Sequence, residues 1–282
     1  METRTETVAS LLQDGFFDIP SYQRSYSWTK AQLTDLLEDL IYLPEERTHF
    51  FGNIILDPQD QEFRTDKGRR LSKYDVVDDQ QRLTTVMILL SVAAAKDNTV
   101  AETIAADRLI RPVKTRPRLL PQDQDKEFFR DGLLGDSAIN PDTPSQDRLQ
   151  VAKEFYETGL EELPPGVSIQ EVTERLRYDC RVNVVELTSQ SEVASIFESL
   201  NDRGKPLSSL DKTKSFLMYM GDRSSNHGAL QDQINERFGS VYKKLFVFST
   251  GHEAVESFDE DALQRFHWGC TTGTIQTSTS TV

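Results

Sequence analysis

The sequence predicts a mixed α/β (α+β) protein, with a small sheet towards the N-terminal end followed by a mainly helical region. Three observations carry this. Short apolar runs of β-type composition fall at 16–19, 50–56 and 74–77. Amphipathic patterns of helical period occupy 30–43 and 79–95 between and after them. Beyond Lys96 the periodic segments are helical, with one β-type run at 182–187.

Taken in order, 5–13 reads as a short helix and 16–19 as a strand that Pro20 ends. In 30–43 the residues Leu33, Leu36, Leu37, Leu40 and Ile41 recur at helical spacing, and Pro44 closes the helix. The polar stretch 57–71 between two β-type runs predicts a loose hairpin or a crossover. In 79–95, Leu83, Val86, Met87, Leu90 and Ala94 share one face. Further helices are expected at 122–134, 145–162, 169–178, 191–202, 209–220 and 228–246. Ser168 with Glu171 has the spacing of a capping box, Ser208 with Asp211 resembles one, and Gly204 suits a left-handed helix end. Pro, Asp and Ser concentrate in 135–147, the best linker. The expected units are therefore an α/β core over 1–134, a helical region over 148–268 and an irregular tail over 269–282. That tail has no charged residue from Cys270 onward, a composition that fits disorder or a shifted reading frame.

Charge and composition narrow the function. The 282 residues carry 32 Lys+Arg against 46 Asp+Glu, a net charge of -14. Such a surface does not track a nucleic-acid backbone over its bulk, although a local basic cleft remains compatible with it. The acidic excess also fits either life in high salt or an ordinary acidic cytoplasmic protein. No stretch approaches the roughly 20 apolar residues of a membrane helix. The polar start METRTETVAS lacks the features of a secretory signal, so a soluble cytoplasmic protein is expected. Cys180 and Cys270 form no disulfide or zinc pattern. His49, His227, His252 and His267 stand in no cluster with other metal ligands, so no nuclease constellation is visible.

Three segments gather chemistry-bearing residues. Y-D-V-V-D-D-Q-Q-R-L-T-T over 74–85 passes from a β-type run into a helix. One reading makes Asp78 the N-cap, Gln81 its capping-box partner and Asp79 a favourable charge at the helix start. The other has backbone N–H groups at this helix start, with Gln80, Gln81 and Arg82, holding a phosphate. I-P-S-Y-Q-R-S-Y-S-W over 19–28 surrounds Gln23 and Arg24 with Tyr22, Tyr26 and Trp28. Its Arg can stack on a base or hold a phosphate, or the aromatics can simply anchor a loop. The segment 197–214 places Asn201, Arg203, Lys205, Lys212 and Lys214 around a Gly-containing turn, suited to an anion or to a solvated helix corner.

Together these segments resemble the N-terminal domain of the GmrSD family of type IV, modification-dependent restriction endonucleases. The resemblance rests on 19–28, on H-F-F-G-N-I-I over 49–55, on 78–85 and on 197–214, with R-L-L-P-Q-D-Q-D-K-E-F-F over 118–129 as a weaker element. It spans about residues 5 to 268. It implies a ParB/sulfiredoxin-like core that binds a nucleoside triphosphate with Mg²⁺, and hydrolyses it in some members. Turnover then regulates an HNH-type nuclease domain or subunit, which this chain lacks, acting on modified or foreign DNA in anti-phage defence. Matched residue by residue, Asp78, Gln80, Gln81 and Arg82 lie in the phosphate segment. Tyr22, Gln23, Arg24, Asn201, Arg203, Gly204, Asp211 and Lys214 lie in the other two. Catalytic roles fall on Asp78, Gln81 and Arg82, and Mg²⁺ ligation on Asp78 and Asp79. Where the family has Gly, this chain has Asp79. Its carboxylate either weakens anion binding by repulsion or recruits the metal. The alternative reading is a catalytically inactive DNA-binding or protein-interaction remnant of such a system.

Overall fold

A computed structural model describes residues 2–188 except Tyr22, Asp66, Lys67, 112–115, Asp123 and Asp136, together with scattered positions between 213 and 244. Those scattered positions are helical; the expected helix at 191–202 and the tail 269–282 lie outside the described residues.

The core is a six-stranded mixed sheet in the order β1-β6-β3-β4-β2-β5. β1 (Glu2–Thr7) opens the chain, and α1 (Val8–Asp14) and β2 (Gly15–Ile19) follow at once. Residues 5–7 are thus strand rather than the start of a helix. Thr3, Thr5 and Thr7 are β-branched, and antiparallel pairing with β6 opposite Val185, Asn183 and Arg181 outweighs the local helical pattern. Thr7 then caps α1, its Oγ1 accepting from the Ser10 N–H at 3.1 Å.

β2 is buried throughout, between β4 and β5, both parallel to it. α2 (Lys30–Ile41) starts at a capping box in which Thr29 N–H donates to Gln32 Oε1 at 2.9 Å. β3 (His49–Arg64) and β4 (Arg70–Asp78) form an antiparallel hairpin, which settles the crossover alternative for 57–71. β3 is far longer than its apolar run because the ladder with β4 carries the polar residues 57–64, with irregularities at Ile55/Leu56 and Gln59/Glu62.

α3 (Gln80–Lys96) is buried on nearly all sides rather than on one face, with α4 (Asn98–Asp107), α5 (Pro144–Gly159) and α6 (Ile169–Glu174) packed around it. The sequence reading overlooks α4, which Asp97 starts by accepting from Thr99 and Val100 N–H at 2.8 and 3.1 Å. It also overlooks β5 (Leu119–Pro121), three residues whose strand character comes from pairing with β2. Within the expected helix 122–134 the chain makes a π-helical turn at Phe128–Leu133. The linker-like segment ends tied down, with buried Thr143 capping α5. Ser168 caps α6 as its spacing predicts, and α6 runs into a second π-helical turn, Arg175–Asp179.

β6 (Cys180–Glu186) inserts between β1 and β3, parallel to the latter. The sheet therefore takes a strand from well beyond residue 134. Sheet residues Phe17, Ile19, Ile54, Leu56, Val76, Val182 and Val184 share one core with α1 to α6, whose Leu11, Leu33, Met87, Ile104, Tyr156 and Val172 are buried in it. The alternate residues Ile55 and Val77 belong to a second, small cluster with Leu187.

Asp57, Asp75 and Asp18 stand side by side on β3, β4 and β2. Lys73 Nζ lies 3.1 Å from buried Asp18, and Arg116 also pairs with it. Burial pushes Asp75 up to about 6, with Lys73 and Arg116 opposing and Asp18 and Asp57 adding repulsion. Between its ordinary value near 3.8 and about 6 the folded chain holds a proton that the unfolded chain has released. Stability therefore falls as pH rises through that window. Asp75→Asn is expected to stabilise the protein at pH 7.5 by about 1–3 kcal/mol, with the gain gone at pH 3.5, in urea melts at the two pH values.

Candidate functional site

The site grows from the junction of β4 and α3. β4 ends at Asp78 and α3 begins at Gln80, which leaves one residue for the change from extended to helical backbone. Asp79 makes that change at φ 65°, ψ 25°, the left-handed region. The helix therefore starts one residue later than the capping box at Asp78 requires. Asp79 occupies the N-cap position without a side-chain cap bond, and Gln81 closes no box. Glycine adopts this conformation without a steric cost, and Asp is among the few other residues that tolerate it. The first turn of α3 thus has N–H groups without intrahelical partners.

The glutamines of this segment turn inward. Gln80 Nε2 donates to the Arg24 carbonyl at 2.9 Å and Gln81 Nε2 to the Ser25 carbonyl at 3.3 Å. Gln81 Oε1 accepts from Ser27 N–H at 2.7 Å. From the other side, Gln23 Nε2 donates to the Val77 carbonyl at 2.7 Å, and the Tyr26 and Thr85 hydroxyls lie 2.8 Å apart. Gln23, Gln80, Gln81 and Tyr26 are all buried. The segments 19–28 and 78–85 are therefore one structural unit, in which the conspicuous amides strap a loop to a helix start. Tyr26 orders the loop, whereas Trp28 lines an open groove.

Arg82 points elsewhere. Its guanidinium pairs with the Asp79 carboxylate and lies 5.3 Å from the centroid of the Phe51 ring. Gly52 makes room for it: at φ 117°, a Cβ there would sit 2.3 Å from Arg82 Nη1 and 3.1 Å from Asp79 Oδ2. The sequence reading gives Gly52 no role, although a lone Gly inside an apolar strand pattern is a signal for close approach. Burial pushes Asp79 up to about 6, against the pull of Arg82 and with Asp78 adding repulsion. Burial also raises Asp78, opposed by the Asp79 N–H, Arg82 and Arg24.

Of the expected site residues, Gln23, Arg24, Asp78, Asp79, Gln80, Gln81 and Arg82 meet at this junction. Tyr22, Asn201, Arg203, Gly204, Asp211 and Lys214 lie outside the described residues. Among the described residues no group of three or more His, Cys, Asp or Glu is placed to hold a metal ion. A groove of about 330 Å³ opens beside Arg82, between α2 and the start of β3, with Trp28, Asp35, His49 and Phe50 among its walls.

The strap gives a direct test. Gln81→Ala removes bonds to two backbone groups of the loop, so a loss of about 1–3 kcal/mol is expected in urea denaturation.

No curated protein matches this sequence. The family model of the GmrSD restriction endonuclease N-terminal domain matches residues 8–218, a span that contains the strapped loop, Gly52 of β3 and the β4–α3 junction. With about three quarters of its length inside that match, the chain belongs to the GmrSD restriction endonuclease N-terminal domain family.

Proposed function

We propose that this chain is a nucleoside triphosphate-binding regulatory domain whose phosphate position is the N-terminal turn of α3 together with Arg82. As a family member it is a component of a type IV restriction system. One observation carries the nucleotide reading. A single left-handed residue joins β4 to α3, and the Arg82 guanidinium pairs with the carboxylate of that same N-cap residue at the helix start. Backbone N–H groups and the positive end of a helix dipole favour an anion, and a guanidinium matches phosphate oxygens in a fork.

Within this reading Gln80, Gln81 and Gln23 act by fixing the loop of Arg24 rather than by touching phosphate. Asp78 would hold Mg²⁺ or orient a water, since the Asp79 carboxylate is engaged by Arg82. Asp78 would hold such an ion beside Asp79, and the ion would supply positive charge that offsets the phosphate charge next to the two carboxylates. Nucleotide turnover would then set the activity of an HNH-type nuclease domain or partner subunit on modified or foreign DNA, in the cytoplasm.

A second reading draws on the Asp79–Arg82 pair. The carboxylate is an internal counterion at the position where a phosphate would bind, so the chain could be an inactive DNA-binding or interaction remnant.

Binding and hydrolysis of ATP, GTP, CTP and UTP with Mg²⁺, compared among wild type, Asp79→Gly and Arg82→Ala, separate the two. The wild type is expected to bind, Arg82→Ala to weaken binding at least about tenfold, and Asp79→Gly to tighten it by about tenfold. Equal binding by wild type and Arg82→Ala would overturn the phosphate assignment. Binding by Asp79→Gly alone would favour the remnant.

A further inference from the structure

The cations of this acidic chain are unevenly placed. R-L-I-R-P-V-K-T-R-P-R over 108–118 holds five of them and no carboxylate. The fold brings the ends of that segment against the turn of the β3–β4 hairpin. Arg118 Nη1 donates to the Gly15 carbonyl at 3.0 Å, and its Nε donates to the Arg108 carbonyl at 2.9 Å. One residue before Gly15, the Asp14 carboxylate lies 3.4 Å from the Arg69 guanidinium. Across the hairpin, Arg64 stands opposite Arg70. Arg64, Arg69, Arg70 and Arg108 therefore gather where the parallel strands β4, β2 and β5 begin.

The positive charge there is poorly offset. The Arg69 and Arg70 side chains are 61% and 63% exposed, and their partners Asp14 and Glu62 are exposed too, so water screens both pairs. Among the described residues Arg64 and Arg108 have no carboxylate partner. Burial, then Arg69 and Arg108, push the Arg118 guanidinium down to about 10, against the pull of Asp14. Like charges crowd one another at this end of the sheet.

These features select the partner. The cations form an array on a projecting turn, where a Cβ added to Gly68 would meet nothing within 4 Å. A membrane surface calls for exposed apolar side chains beside the cations. The large exposed ones among the described residues, such as Tyr42, Phe50, Ile139 and Tyr178, all fall outside 60–72 and 108–118. Guanidiniums fit phosphate oxygens in a fork, and an array of them meets the repeating phosphates of a polynucleotide.

We propose that Arg64, Arg69, Arg70 and Arg108 form a docking surface for duplex DNA, held through its phosphates. The choice of DNA among polyanions rests on membership in a restriction family, and nothing in it requires nucleotide binding. The contact is to the backbone, so it is independent of base sequence. The nine residues of β4 separate this surface from Arg82 by roughly 27 Å, so DNA and nucleotide do not compete.

Fluorescence anisotropy of a labelled duplex of about 20 base pairs, titrated with the full chain from about 25 to 200 mM salt, tests this. Four phosphate contacts predict saturable binding whose log–log salt slope is about −3.6. Arg64→Gln, Arg70→Gln and Arg108→Gln are each expected to reduce that slope by about 1, with nucleotide affinity and urea midpoint unchanged. The triple variant Arg64→Glu, Arg70→Glu, Arg108→Glu should lose at least about a hundredfold in DNA affinity at low salt.

Absence of saturable binding at the lowest salt would overturn the proposal, as would slopes that the three Gln variants leave unaltered. Tighter binding of duplex RNA or of polyglutamate than of the DNA would overturn the choice of partner. Nucleotide binding without DNA binding would remove the docking surface and leave the phosphate reading standing. DNA binding through these arginines by a chain that binds no nucleotide would support the surface even where that reading fails.

Discussion

β4 ends at Asp78 and α3 begins at Gln80, and the geometry around the candidate site follows from that one-residue interval. A left-handed residue there turns the chain straight from strand to helix. The turn points Gln80 and Gln81 back under the 20–28 loop and leaves Arg82 on the side facing β3. The loop follows the glutamines, which satisfy the carbonyls of Arg24 and Ser25 and the N–H of Ser27. Arg82 in turn needs a strand without a Cβ beside it, which Gly52 provides. Glutamines, loop, arginine and glycine are thus consequences of a single backbone step.

Much of the scaffold is legible from pattern alone. α2, α3, α5 and α6 announce themselves by apolar periodicity, and α6 also by its cap; β2 and β6 appear as short apolar runs. What escapes is what tertiary pairing decides. β1 alternates charged residues and Thr with no apolar face and becomes a strand because β6 lies beside it. The polar arm of β3 is strand because β4 continues the ladder, and β5 is too short for a pattern to exist. The cap of α3 is misplaced by one residue because Asp is favoured both as an N-cap and as a tolerated left-handed residue.

The site is legible as a place more than as a set of roles. Sequence brings 19–28 and 78–85 to attention for their amides and aromatics, and the structure does bring them together. Hydrogen bonding then assigns the amides to the scaffold, a distinction invisible in a string of letters, since a glutamine that straps a loop and one that meets a ligand look the same. In a chain of charge -14 the position of each cation matters more than the total. Arg116 and Lys73 are held by buried Asp18 across the sheet, whereas Arg82 pairs with Asp79, three residues before it in the chain.

The place of β6 in the sheet bears on how the chain is made. Arg4 on β1 pairs with Glu186 on β6, a separation of 182 residues. During synthesis β1 does not meet β6 until the ribosome has added the 182 residues between Arg4 and Glu186, and β3 waits with one edge open for the same arrival. At roughly 5–20 residues per second that interval lasts on the order of ten seconds or more. Such late closure of the sheet makes for slow folding and a long exposure of strand edges to other nascent chains. The alternating charges of Glu2, Arg4 and Glu6 serve a purpose in that interval, keeping the waiting strand soluble and unattractive to copies of itself.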